Sequence, residues 1–198
     1  MTFFPLISYS AATSDAKTMA CQALSAALPG KVFFPGSSNY TSSVGSYFAA
    51  FENELTPTCV VRLTSAQDVS EIISGINTFA LSGQVQLAVR GGGHTPWAGA
   101  ANIQSGITLD LQNLTGVTVD PSTKVASVGS GERWSSVYSQ LGAQGIAVAG
   151  GRVSKVGVAG LMTGGVVQRP PHKNSASLSL TSHPRWTLLL LCRSRFRM

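Results

Sequence analysis

The chain has 198 residues, 43% of them hydrophobic and 11% charged, with three cysteines and a formal net charge of +6. That length allows one full domain, or one and a half small ones, and the composition excludes a disordered polyelectrolyte, a coiled coil and a collagen-like repeat. The longest candidate stretch for a membrane span, Trp186–Cys192, is seven residues against the roughly 20 that span a bilayer, and three cysteines are too few for a disulfide-dense miniprotein.

Residues 1–12 are mildly apolar but have no basic leading segment and no clean small-residue cleavage site, so they give weak support for a signal peptide. Thr13, Ser14 and Asp15 offer N-caps to a helix carrying Met19, Ala20, Leu24 and Ala27, which Pro29-Gly30 stops. Lys31–Pro35 reads as a short strand and Gly36–Gly45 as a polar loop. Tyr40, Val44, Tyr47, Phe48 and Phe51 have the spacing of one helical face, with core packing as their role. Cys59–Leu63 reads as a strand. Ser65 and Asp68 make a capping box for a helix whose apolar face is Val69, Ile72, Ile73, Ile76 and Phe79, closed by Gly83. Val85–Val89 is the next strand, so 59–89 form a strand–helix–strand unit with two parallel strands. Gly106–Leu111 reads as a further strand. Gly116–Val119 and Val125–Val128 form a hairpin turned at Asp120-Pro121-Ser122. Trp134, Val137, Tyr138 and Leu141 mark a helix, and Gly145–Ala149 a short strand.

Past Gly165 the character changes. Prolines, scattered serines, the Leu188–Leu191 run and alternating arginines follow no period, and no element there is expected to complete a sheet. Residues 1–165 carry eight basic and eight acidic side chains, so all six excess charges lie in 166–198, on Arg169, Lys173, Arg185, Arg193, Arg195 and Arg197. The chain therefore divides into a domain over 15–165 and an atypical basic tail over 166–198, the latter read as a truncated or frame-shifted end. A basic tail can touch phosphates or anionic lipid. No base-reading or RNA-binding signature accompanies it, so no nucleic-acid partner is expected.

The sharpest feature is Arg90-Gly91-Gly92-Gly93-His94-Thr95, a loop following a parallel-type strand. Three glycines either make a tight turn or let the backbone turn its N–H groups onto an anion such as a diphosphate. Ligands sit at the carboxyl ends of parallel strands. A second segment, 150–165, has glycine at six of sixteen positions and forms a natural second wall. Neither G-x-G-x-x-G nor G-x-x-x-x-G-K-[ST] is present, so the Rossmann and P-loop readings do not apply.

The run from Val89 to Asn102, the following Gly106–Leu111, the segment Gly150–Gly165 and the stretch from Pro57 to Val69 together resemble the FAD-binding domain of the vanillyl-alcohol oxidase / p-cresol methylhydroxylase superfamily. Within it the chain is most similar to the berberine-bridge-type FAD-linked oxidoreductases of fungi and plants, over roughly residues 15–165. The resemblance implies an α+β, two-lobed FAD-binding domain whose second lobe is incomplete and whose substrate domain is absent. It implies that Arg90, Gly91, Gly92, Gly93, His94 and Thr95 cradle the FAD diphosphate. His94 would carry a covalent bond to the flavin 8α-methyl, and Gly151, Val156, Gly157, Gly160 and Leu161 would line the rest of the cofactor. The position of a second, cysteinyl link in some relatives is here Val153, which implies a single link.

The family's chemistry is hydride removal from a small organic substrate to the flavin, often with dioxygen as the final acceptor. The substrate pocket and catalytic base lie in the part the chain lacks, so no catalytic residue is assigned. The alternative is a catalytically incomplete fragment acting as a flavin-binding module. The resemblance further implies a Cys21–Cys59 disulfide, against two buried free thiols. With the sequons Asn39-Tyr40-Thr41 and Asn113-Leu114-Thr115, it favours a secretory origin. Cys192 is assigned no role, and no metal site is expected.

Overall fold

The computed structural model describes residues 9–123, 125–165 and 187–191. Helix α1 (Tyr9–Ala27) starts ahead of the expected caps at Thr13–Asp15. Ala11 and Ala12 are strong helix formers and carry the helix back past them. Strand β1 (Val32–Phe33) follows. The expected polar loop over 36–45 instead holds a short helix, α2 (Ser38–Val44), whose N-cap Ser37 accepts from the Tyr40 N–H. The aromatic stripe is not one helical face. Gly45 closes α2, and the chain restarts as the single turn α3 (Ala50–Asn53). Tyr40, Val44 and Tyr47 are buried, whereas Phe48 and Phe51 are exposed.

Strand β2 (Cys59–Arg62) leads into α4 (Ala66–Leu81) through the expected capping box. The Asp68 N–H donates to Ser65 Oγ at 3.1 Å, and Asp68 Oδ2 accepts from the Ser65 N–H at 3.2 Å. Asp68 also accepts from Lys31 Nζ at 2.7 Å on both oxygens and from the N–H and hydroxyl of Thr64. Burial pushes its carboxyl up, but these donors outweigh burial and hold it well below the usual carboxylate range. On the apolar face of α4, Ile72 and Ile76 are buried and Ile73 is half out; the side chain of Phe79 lies outside the described residues.

Strands β3 (Leu87–Arg90) and β4 (Ile107–Asp110) complete a four-stranded sheet of order β1-β2-β4-β3. The last three strands are parallel, with Arg62 and Arg90 both in register with Asp110; β1 is antiparallel to β2. The expected parallel pair of β2 and β3 is therefore present, with β4 inserted between them. Ala20, Cys21, Leu24 and Leu28 meet Ile72 and Ile76 over one sheet face, contributed by Val61, Leu63, Ile107 and Leu109. Tyr40 and Val44 cover Val60 on the other. A Cys21–Cys59 disulfide ties α1 to β2.

The second lobe begins with the hairpin β5 (Val117–Asp120) and β6 (Val125–Gly129). Asp120 holds the turn by accepting from the Ser122 N–H and hydroxyl and from the Thr123 N–H. Helices α5 (Trp134–Gly142) and α6 (Val158–Thr163) pack on it through Trp134, Val137, Leu141 and Val158, all fully buried. Residues 145–149 form no strand. The Ile146 N–H returns to Leu141 O, and Ile146 and Val148 pack half-buried on this core. The expectation that nothing beyond Gly165 joins a sheet is also corrected. Strand β7 (Thr187–Leu191) pairs antiparallel with β6, Gly129 opposite Thr187. A leucine run carries no alternation, so an edge strand of this kind has no periodic signature.

Candidate functional site

Strand β3 delivers the chain at its carboxyl end into Gly91–Gly93, and α6 is entered through Gly157, which serves as its N-cap. These two segments touch through bare backbone. A Cβ on Gly92 would collide with the backbone of Gly157, and a Cβ on Gly157 with that of Gly92. Only glycine at both positions allows this approach. A β-bridge between Arg133 and Gly157 holds the second segment from behind.

Between them lies a groove of about 480 Å³. It is lined by Gly91, Gly92, Gly93, His94 and Thr95 from the first segment and by Val156, Gly157, Gly160 and Leu161 from the second. All nine were sequence candidates, and the fold brings them together. Val89, Ala100, Ala101 and Thr163 complete the lining. Among the described residues, no group accepts from the backbone N–H of Gly92, Gly93 or His94. His94 is half-buried and its ring stacks on Phe48, with centroids 4.0 Å apart and planes 10° apart. The ring is not sealed in packed side chains. It borders both the groove and a second cavity of about 470 Å³.

Two candidates stand elsewhere. Arg90 is fully buried and does not reach the groove. Its Nη1 donates to Ser43 O at 2.6 Å, and its Nη2 to Ser46 O at 3.0 Å and Ser46 Oγ at 2.8 Å. The guanidinium lies 3.8 Å from the Tyr47 ring centroid and 3.9 Å from Asp110 Oδ2. Gln112, with its amide oxygen turned inward, accepts from Arg90 Nη2 at 2.9 Å and from Arg133 Nη2 at 3.3 Å. Arg90 thus binds the α2 exit from beneath the glycine loop, because a buried guanidinium must spend its donors on the acceptors it meets. Gly151 is the other case. With Gly150 it lies flat on the Trp134 indole, where a Cβ on either would strike the ring. These two glycines are explained by packing.

The supports of the groove wall carried no local signal. Glu52 is fully buried. Its carboxylate accepts from the N–H groups of Ala101 at 2.8 Å, Asn102 at 3.1 Å and Gly99 at 3.3 Å. Asn102 Nδ2 returns a bond to Glu52 O, and Asn102 Oδ1 accepts from Thr108. The Tyr47 hydroxyl donates to Ala101 O at 2.9 Å; burial pushes its pKa up, and Arg90 opposes that shift. The 99–102 bend is therefore fixed from two sides.

The groove suits a dinucleotide diphosphate. It offers unpartnered N–H donors on backbone bare of side chains, at the carboxyl end of a parallel strand. Two apolar walls, Val156 with Leu161 and Ala100 with Ala101, fit the flat ring systems such a ligand carries.

Comparison with known proteins agrees. The FAD binding domain family matches residues 57–173, more than half of the chain. The FAD-dependent monooxygenase sdcF of Emericella nidulans is 40% identical over 147 residues, covering 74% of this chain and 30% of that protein. The FAD-dependent monooxygenase CTB5 of Cercospora beticola is 36% identical over 155 residues, covering 77% and 29%. The chain thus spans less than a third of the length of these relatives. Among solved structures, 6-hydroxy-D-nicotine oxidase from Arthrobacter nicotinovorans superposes with a TM-score of 0.56 at 26% identity, over 66% of this chain and 27% of that one. The grass pollen allergen Phl p 4, with glucose dehydrogenase activity, shares the fold at a TM-score of 0.64 and 20% identity, over 74% and 31%. With its matched region containing both glycine segments that wall the groove, the chain belongs to the FAD binding domain family, and FAD is its cofactor.

Proposed function

We propose that this chain is the cofactor-holding portion of a berberine-bridge-type FAD-linked oxidoreductase acting on a small organic substrate. The observation that carries this reading is the backbone contact of Gly92 with Gly157, which closes two glycine segments around one groove with His94 at its edge. When bound, FAD supplies two-electron chemistry, taking a hydride from a substrate carbon and passing electrons on to an acceptor such as dioxygen. The chain's own residues do the rest. The N–H groups of Gly92, Gly93 and His94 hold the diphosphate. Val156, Leu161 and Ala101 shelter the apolar surface from water, and Glu52 and Tyr47 keep the Ala101 wall in place. His94 is assigned the covalent bond from an imidazole nitrogen to the flavin 8α-methyl. Its half-exposed ring, stacked on Phe48, is oriented and reachable.

Purified protein should be yellow, and the flavin should stay with the pellet on acid precipitation. In the His94→Ala variant the flavin should still bind but pass into the acid supernatant. Colourless protein that cannot be loaded with FAD overturns the reading. Flavin that leaves the wild-type protein in acid overturns the covalent assignment alone. The second reading, a flavin-binding module without turnover, requires bound flavin that no alcohol, amine or sugar donor reduces. Over residues 15–165 the Cys21–Cys59 bridge and the two sequons support a secretory route.

A further inference from the structure

The second cavity, on the other side of His94, is lined by Ser46, Tyr47, Phe48, His94, Arg133 and Lys155. Two of the six are basic side chains and none is a carboxylate. The acids near it are already committed. Asp110 Oδ2 accepts from Ser43 and faces Arg90, and Asp110 Oδ1 accepts from the Gln112 N–H. Glu132 accepts from the Gly116 N–H. Among the described residues no salt bridge involves Arg133 or Lys155.

Arg133 is also held in place. Its Nη1 donates to Lys155 O at 2.6 Å, and Gln112 accepts from its Nη2 at 3.3 Å. Its backbone forms the bridge to Gly157, at the point where the two glycine segments meet. Burial and the nearby Arg90 charge both work against its protonated form, with Asp110 opposing them, so an added anion would relieve it. The groove itself supplies N–H dipoles but no cation. Its sequence-adjacent cation, Arg90, is turned into the core and faces Asp110.

We propose that Arg133 and Lys155 form an oxyanion site for a phosphate-class group beside His94, built on the fixed Arg133 guanidinium and the exposed Lys155 ammonium. The phosphate has two sources, those oxygens of the cofactor's diphosphate that the groove's N–H groups leave unpaired, which rests on the flavin reading above, or a separate phosphate-bearing ligand. Both meet the same chemistry, two cationic donors at the edge of a cavity with a stacked aromatic pair on its flank.

The test titrates inorganic pyrophosphate, FAD and riboflavin against the full chain and its Arg133→Gln, Lys155→Gln and Arg133→Lys variants. Wild type should bind pyrophosphate in a salt-sensitive way. Each Gln variant should weaken it about tenfold, as for one charge-assisted hydrogen bond, and Arg133→Lys should recover part of the loss. If FAD weakens alongside pyrophosphate while riboflavin does not, the cofactor's diphosphate is the occupant. If pyrophosphate still binds to FAD-loaded protein and the variants leave FAD untouched, the ligand is separate. Lys155 is exposed, so its variant keeps the test decisive should Arg133→Gln fail to fold. No pyrophosphate binding to wild type, or equal binding to Lys155→Gln and wild type, overturns the site. Pyrophosphate binding without FAD binding would instead sink the flavin reading and leave this one standing.

Discussion

Arg90 is buried inside the first lobe and commits its guanidinium to protein acceptors rather than to a ligand. Ser43 O, Ser46 O and Asp110 are its partners, and Tyr47 stacks on its face. Arg90→Met would leave the buried Asp110 carboxylate without its counter-charge and the Ser43 and Ser46 carbonyls without their donor. The expected cost is about 3–5 kcal/mol, because breaking a buried pair leaves an uncompensated charge. Arg90→Lys keeps the charge but loses the fork and is expected to fall between the two. Urea denaturation of the three proteins checks both. The glycines beside Arg90 were legible because three in a row after a strand is a local pattern. The role of Arg90 was not, since its acceptors sit more than forty positions earlier in the chain. Glu52 was hidden in the same way, its three N–H donors lying near residue 100.

Among the elements, α4 has the clearest start, and its cap is reinforced from outside by Lys31. The folded-state pKa of Asp68 is depressed, so its contribution to stability is present above the unfolded value near pH 4 and is lost as pH falls toward the folded value. Asp68→Asn is expected to cost about 1–2 kcal/mol at neutral pH, the scale of a lost cap with its ion pair. The gap between variant and wild type should narrow in unfolding measured near pH 3. Elements with strong local signals, such as this helix, the 117–129 hairpin and α5, were readable. The break between α2 and α3 was not, because the decision lies in Gly45 and in contacts of Ser43 and Ser46 with Arg90 rather than in periodicity. The 145–149 stretch has strand-like residues, yet packing against the α5 exit overrides them.

At the scale of the whole molecule, two small cores are joined where glycine meets glycine, and the first is stapled by Cys21–Cys59 across 38 positions. Closing a loop of that length restricts the unfolded chain by about 3–4 kcal/mol. A Cys21→Ala/Cys59→Ala double variant should lose stability on that scale in chemical denaturation, and reductant should bring wild type down to the same level.

The strand order β1-β2-β4-β3 has a consequence for biosynthesis. The middle strand is made last, so while the ribosome has yet to extrude Ile107–Asp110, both β2 and β3 present naked edges with no mate. A nascent chain halted between residues 93 and 107 would hold the glycine loop and the staple's two thiols on and beside a sheet with its keystone missing. Such an intermediate is a natural client for a chaperone and a seed for aggregation.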